Sequence, residues 1–297
     1  MRCEPGKGLP IGNLNSQFFA NVYLNGLDQF VKHRLHCRHY IRYCDDFVLL
    51  SADRDELLDW RRHIERYLDA ELALALNPRE RLRPVSDGVD FLGYILRRDY
   101  RLVRRRVVHA CKARLRAYRE LLVSAHDGAA TYRFDAGDLL RLHATLSSYL
   151  GHFRRANAHA LWQSLWQGHD WLAVYFHWDA RRHKLVPRYA MPTGLTSARR
   201  QYAWARGAYP GDAVLFQVGA YYEFYDRRDA ALAAQLGLKP LKENRRHALF
   251  GVPGRLFGRT LARLLGLGRA VLVVRQGEQQ WTGVRERVLA WRMVPAG

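Results

Sequence analysis

Asp45 and Asp46 stand side by side between two apolar runs, residues 40–43 (Tyr-Ile-Arg-Tyr) and 47–50 (Phe-Val-Leu-Leu). Each run has the length of a buried strand, so the pattern predicts a tight β-hairpin with carboxylates at its tip. Two carboxylates held between buried strands repel each other through a poorly screening medium, and a divalent cation is the natural remedy. Hard oxygen ligands select Mg²⁺, with Mn²⁺ as a substitute. Two such ions clamping the attacking and leaving oxygens serve nucleotidyl transfer. On the tetrapeptide alone, an ordinary polar β-turn reads the same. His33, His36, Cys37 and His39 also have metal-ligating types, but without a second ligand pair at conventional spacing no zinc site is expected.

The elements that would position the acidic pair lie on both sides of it. Residues 6–17 form a glycine-punctuated loop with Asn13 or Asn15 as a candidate N-cap, and Phe19, Val22, Tyr23, Gly26, Leu27, Phe30 and Val31 follow at helical spacing. This predicts a loop opening a long amphipathic helix whose apolar face meets the hairpin. Downstream, Asp53 and Glu56 predict a capping box for a helix carrying Leu57, Trp60, Ile64, Tyr67 and Leu68 on one face. Residues 72–76 fit strand or helix by pattern, and Asn77-Pro78 ends them. Residues 97–120 then hold ten arginines and lysines against two acids, Asp99 and Glu120. That excess is beyond what a solvated face needs and points to phosphate.

Composition narrows the partner. The chain has 297 residues, 48% of them apolar, a net charge of +20 and a pI near 10.3. No apolar run approaches the ~18 residues of a spanning helix, so a nucleic-acid partner is expected and a membrane is not. Cys3, Cys37, Cys44 and Cys111 lack C-x-x-C spacing, which fits a reducing, cytoplasmic setting.

Residues 40–50 resemble the Tyr-x-Asp-Asp motif of reverse transcriptases, and other motifs of that family lie in order around them. Ile11-Gly12-x-x-x-Ser16-Gln17 looks like the nucleotide-pocket segment of diversity-generating retroelement enzymes, and residues 89–94 (Val-Asp-Phe-Leu-Gly-Tyr) resemble the primer grip. The resemblance implies an RNA-directed DNA polymerase with Asp45 and Asp46 as metal ligands and catalytic residues. Ile11, Gly12, Ser16, Gln17 and Tyr43 would line the nucleotide pocket, and Phe91, Leu92, Gly93 and Tyr94 would form the primer grip. Arg104, Arg105, Arg106, Lys112 and Arg114 would hold RNA template and DNA primer. It favours a strand at 72–76. Glu80 occupies the place of a family lysine that could donate a proton. Residues 139–166 read as one helix of the thumb, in which residues 148–152 and Arg154, Arg155, Ala156 and Asn157 again look like the retroelement enzymes, and Trp162, Trp166, Trp171 and Trp178 read as aromatic core.

From about Arg181 the composition shifts to a Pro/Gly-punctuated linker, followed by alternating helix and strand patterns: a helix from Thr196, strands at 214–218 and 221–225, a helix at 229–236, a strand near Leu238, a helix at 255–267 and a strand at 270–275. This half resembles the mismatch-recognition domain of MutS. Residues 216–225 match the segment that carries its Phe-x-Glu wedge, with Tyr221 for the phenylalanine and Glu223 for the glutamate. Residues 250–253 resemble its Ala-Gly-Ile-Pro loop, and 284–295 the closing strand. An aromatic inserted at a base step beside a hydrogen-bonding carboxyl suits minor-groove recognition. A core strand with Glu223 outward would give the same pattern.

The expectation is therefore an α+β chain: a partial reverse transcriptase palm over 1–100, a helical thumb and linker over 101–185, and a small mixed α/β MutS-I-like module over 186–297. A palm also needs an upstream aspartate, in a pattern like Phe-x-x-x-Asp, which does not precede Pro10 here. Polymerase activity would then require an upstream polymerase fragment, with a retroelement accessory protein as a further partner. The competing expectation is a non-catalytic protein that binds mismatched duplex DNA or other irregular duplexes.

Overall fold

The computed structural model describes residues 14–78, 80–126, 128–241, 248–281 and 284–295. The chain divides into two compact units, Met1–Leu102 and Val103–Gly297.

In the first unit, α1 (Leu14–Tyr23) and α2 (Asn25–Gln29) lead through a π-turn at Phe30–Arg34 into β1 (His39–Tyr43), β2 (Asp46–Leu50) and α3 (Arg54–Leu72). The single amphipathic helix expected here is interrupted at Leu24, and only its later part is core. Leu27 and Val31 bury with Trp60, Ile64 and Leu68 of α3, whereas Phe18, Phe19, Val22 and Tyr23 are exposed. Asp53 caps α3 by accepting from the Asp55 amide at 2.8 Å, but the reciprocal half of the capping box is absent. Glu56 instead takes the Ser51 hydroxyl, which itself accepts from the Asp53 amide at 3.0 Å. The strand expected at 72–76 does not form: α3 runs to Leu72 and Ala73 closes it in the left-handed conformation (φ 49°). The Leu74 amide instead bonds back to the Leu68 carbonyl at 2.9 Å, so this backbone closes the helix and does not pair as a strand. A three-stranded sheet of β3 (Val89–Phe91), β4 (Tyr94–Leu96) and β5 (Arg101–Val103) ends the unit.

The second unit opens with α4 (Arg105–Leu122), β6 (Val123–His126) and β7 (Ala129–Arg133). Then come α5 (Ala136–Phe153), α6 (His159–Gln167), α7 (Leu172–Tyr175) and the hairpin β8 (Phe176–Asp179) and β9 (Lys184–Pro187). The expected helix over 139–166 is thus two helices. Arg155 and Ala156 donate three residues back, to His152 and Phe153, and Ala158 leaves helical space at φ −118°, ψ 17°. The stretch read as a linker contributes β9, with Leu185 fully buried.

The remaining elements are α8 (Ala198–Ala208), β10 (Ala213–Val218), β11 (Tyr221–Phe224), α9 (Ala230–Gln235), β12 (Phe250–Pro253), α10 (Phe257–Gly266), β13 (Val271–Trp281) and β14 (Val284–Pro295). No strand forms near Leu238, whose amide instead closes α9 by donating to Ala233 at 2.8 Å. One seven-stranded sheet runs β12-β11-β10-β13-β14-β7-β6, with β10 and β13 parallel and every other neighbouring pair antiparallel. Alternation along β10 and β13 divides the core. Ala213, Leu215, Val271 and Val273 join Leu264 of α10 on one face. Val214, Phe216, Leu272 and Val274 join Tyr202 of α8 and the apolar residues of α5–α7 on the other.

Charged groups tie the frame. Arg292 grips the buried Asp212 with two hydrogen bonds, at 2.6 and 2.9 Å, which raise its pKa above the ordinary arginine value. Asp229 receives the Tyr202 hydroxyl at 2.5 Å and Arg206; burial still pushes its pKa up. No helix among the described residues is long and apolar enough to cross a membrane.

β7 pairs with β14 from Ala129↔Pro295 to Arg133↔Trp291, so the sheet crosses the boundary expected at 185/186. A fragment of residues 186–297 leaves that edge of β14 without its neighbour, and an unpaired edge recruits another chain. We expect light scattering after size exclusion to show 186–297 self-associating and 103–297 monomeric. A monomeric, folded 186–297 would make β7 dispensable.

Candidate nucleic-acid interface

β1 and β2 pair antiparallel from His39↔Leu50 to Tyr43↔Asp46, leaving Cys44 and Asp45 as a two-residue turn, with Cys44 at φ 53°. The turn is tied down by Arg42. Its Nη1 donates to the Cys44 carbonyl at 2.7 Å and to Asn21 of α1 at 2.9 Å, while Nε and Nη2 donate to Asp28 of α2 at 2.8 and 2.5 Å. The Tyr40 hydroxyl also donates to Asp28, at 2.7 Å. Burial pushes the Asp28 carboxyl up, but the Arg42 and Tyr40 bonds outweigh it and hold its pKa below 3.8.

Asp45 and Asp46 are both exposed, and neither carboxylate has a partner among the described residues. This corrects the expectation that they are crowded between buried strands. The ribbon has only two strands, and its outer face (His39, Ile41, Tyr43) is open, so water solvates the pair. No group of three or more His, Cys, Asp or Glu among the described residues could hold a metal. Mg²⁺ is commonly held by one or two carboxylates, with water and substrate phosphates completing its shell, so the pair by itself offers at most part of such a site. The zinc alternative is no better supported: Cys37 is buried, and burial raises its thiol pKa.

Ile11 and Gly12 lie outside the described residues. Ser16, half-buried, and Gln17, exposed, sit on α1, and Tyr43 is exposed beside the turn. Phe91 and Tyr94 face each other across β3 and β4, and Leu92 and Gly93 form their turn at φ 50° and 91°. Positive φ at both positions is the type I′ hairpin turn; leucine rarely adopts it, and glycine does so freely. Glu80 is held by Arg61 Nε at 2.6 Å.

In the second unit, α4 buries Cys111, Leu115 and Leu122. Arg105, His109, Lys112, Arg116 and Arg119 recur at i, i+4, i+7, i+11 and i+14, all exposed, forming a stripe about 21 Å long at ~1.5 Å per residue. The stripe keeps Arg105 and Lys112 from the sequence reading and adds His109, Arg116 and Arg119. Arg106 and Arg114 are exposed on other faces, and Arg104, ahead of the helix, is half-buried. Helical phase, applied to the basic run, is the signal that finds the stripe.

Tyr221 sits at the tip of the β10–β11 hairpin, opposite Val218, and is 51% exposed. Gly219, at φ 60°, opens the two-residue turn. The tip is braced by Gly254, whose amide donates to the Ala220 carbonyl at 2.7 Å; a Cβ on Gly254 would come within 2.9 Å of that oxygen. Arg287 braces the other side, Nε donating to the Gln217 carbonyl at 3.0 Å. Glu223 is different. It is 7% exposed and receives the Tyr225 hydroxyl, so its carboxyl is engaged inside the fold, neither at the surface beside Tyr221 nor outward.

Residues 196–295 match the family described as MutS domain I. The match contains the whole hairpin with its braces, from α8 to the end of β14. A comparison with curated proteins finds no match to the chain.

The Asp28 bonds make a pH prediction. A carboxyl with a lowered folded pKa contributes stability that is present above the unfolded value, near 3.8, and is lost as pH falls through the folded value. Asp28→Asn should destabilise the first unit at neutral pH by about 1–3 kcal/mol and flatten its loss of stability between roughly pH 5 and pH 3. Thermal melts across that range test it; an unchanged acid slope would refute the assignment.

Proposed function

We propose that this chain is a nucleic-acid-binding protein whose residues 196–295 recognise mismatched or otherwise irregular duplex DNA, with Tyr221 as the inserted aromatic. The observation that carries the reading is an exposed ring on a braced hairpin, within the segment matched to MutS domain I. Insertion costs a few kcal/mol of unstacking, less where a step is already weakened, so a stiffly held ring favours irregular steps. Because Glu223 is engaged with Tyr225, selection rests on deformability of the step more than on a hydrogen bond to one displaced base. The stripe on α4 supplies affinity that is independent of sequence.

With the full chain at fixed salt, mismatched duplex should bind more tightly than matched duplex. Tyr221→Ala should remove the preference and leave the shared background. Tyr221→Phe should preserve or raise it, since the hydroxyl desolvated on insertion is gone. Equal binding to both duplexes, insensitive to Tyr221→Ala, would leave the domain a docking module.

A second reading attaches to the first unit, where the two free carboxylates on one tied hairpin favour it. Residues 14–102 would be the acidic part of a nucleotidyl-transfer site that another polypeptide completes. The chain alone should then show no primer extension with Mg²⁺ or Mn²⁺. Extension should appear when a segment bearing a further aspartate is supplied, and should vanish in Asp45→Ala. Failure of every such segment to confer synthesis would remove this reading.

A further inference from the structure

Where α6 meets the β8–β9 hairpin, five aromatic side chains form an arc around a cavity of about 130 Å³. The ring centroids follow one another closely: Phe153 to Trp162 at 6.4 Å, Trp162 to Trp178 at 5.4 Å, Trp178 to His183 at 5.9 Å and His183 to His159 at 6.0 Å. Phe153 and Trp162 make the buried floor. His159, His183 and Arg154 are exposed and make the rim. The Trp162 indole N–H is buried without an acceptor among the described residues, a donor the fold does not use. His183 is held over the opening in a left-handed conformation, φ 48°, by the turn between β8 and β9.

From this geometry we infer that the cavity seats one unstacked nucleobase of a single-stranded nucleic acid, with Arg154 meeting the attached phosphate. The volume is well below the ~300 Å³ of a drug-sized pocket, which limits the occupant to about a ring. Aromatic walls take either a flat base or a quaternary ammonium group. Charge decides between them: Arg154 is exposed at the mouth and the chain carries +20, which repels a cation and attracts a nucleotide. This site is separate from Tyr221 and does not depend on the duplex reading.

The test uses the full chain and the anisotropy of two fluorescein-labelled 12-mers carrying equal phosphates, oligo(dT) and a strand of abasic units. Wild type should bind oligo(dT) about tenfold more tightly than the abasic strand, as expected for one stacked base. Trp178→Ala and His159→Ala should each erase most of that ratio, whereas Trp178→Phe and Tyr221→Ala should leave it. Arg154→Gln should weaken both strands alike and reduce the salt slope by about 0.7. His159 lies on the surface of α6, so its variant remains informative should Trp178→Ala fail to fold by circular dichroism. An oligo(U) arm should show the same dependence on Trp178, because the arc reads base and phosphate, not sugar. Equal binding of oligo(dT) and the abasic strand by wild type, or an undiminished ratio in His159→Ala, overturns the proposal.

Discussion

The parallel pairing of β10 with β13, buried on both faces, is the constraint on which the second unit depends. Residues Ala213–Phe216 and Val271–Val274 have no solvent face, so apolar cover must come from both sides. α10 supplies one layer, and α8 with the α5–α7 group supplies the other. Parallel strands also need a crossover, and the chain between them uses that length to build β11, α9, β12 and α10. The β10–β11 hairpin tip extends from this fixed pair. Gly254 and Arg287, from the loop after β12 and from β14, then hold it from the two sides of the same sheet.

Arginines divide into two populations with different physics. Arg42, Arg206 and Arg292 sit in bonded pairs with Asp28, Asp229 and Asp212, and Arg188 donates to the carbonyls of Ala173 and Ala208. Such cations are shielded from solvent, and their planar forks fix the angle between elements. Those on the outer stripe of α4 are solvated, and their charge remains available to a polyanion. A net charge of +20 alone does not separate these groups; the pairing does.

Local patterns were legible where both the element and its partner were close in sequence. The hairpins at 39–50 and 89–96 and the strands β10 and β11 follow directly from short apolar runs and turn residues. The pairing of β7 with β14 was not legible, because about 160 residues separate the strands and neither announces its neighbour. Nor was the break between α5 and α6, where apolar spacing continues across a turn made by three-residue-back hydrogen bonds. At the candidate sites the failures were of direction. Alternation places Tyr221 and Glu223 on one face of β11, yet the chain buries that face over Glu223 and leaves it open at Tyr221, a contrast that only the neighbouring strands and helix determine. Conversely, the apolar flanking runs imply a buried acidic pair, and the two-stranded ribbon leaves it in water.

Free cations and exposed rings do different work in nucleic-acid binding. The cationic contribution is long in range, indifferent to sequence, and falls with each displaced counterion as salt rises. Stacking on an aromatic ring is short in range and far less sensitive to salt, and it registers whether a base or a base step is free to be reached. With unpaired arginines and lysines in such excess, selectivity cannot come from charge, which attracts every polyanion equally. Under the proposed function it comes from accessible rings, and the settings of the two proposed here differ. The Tyr221 ring projects from a braced tip, which suits entry between stacked bases; the arc around Trp178 is concave, which suits a base that has already left the stack. Under the proposed function, a perfectly paired duplex would offer neither a weakened step nor an unstacked base, and charge alone would then hold it.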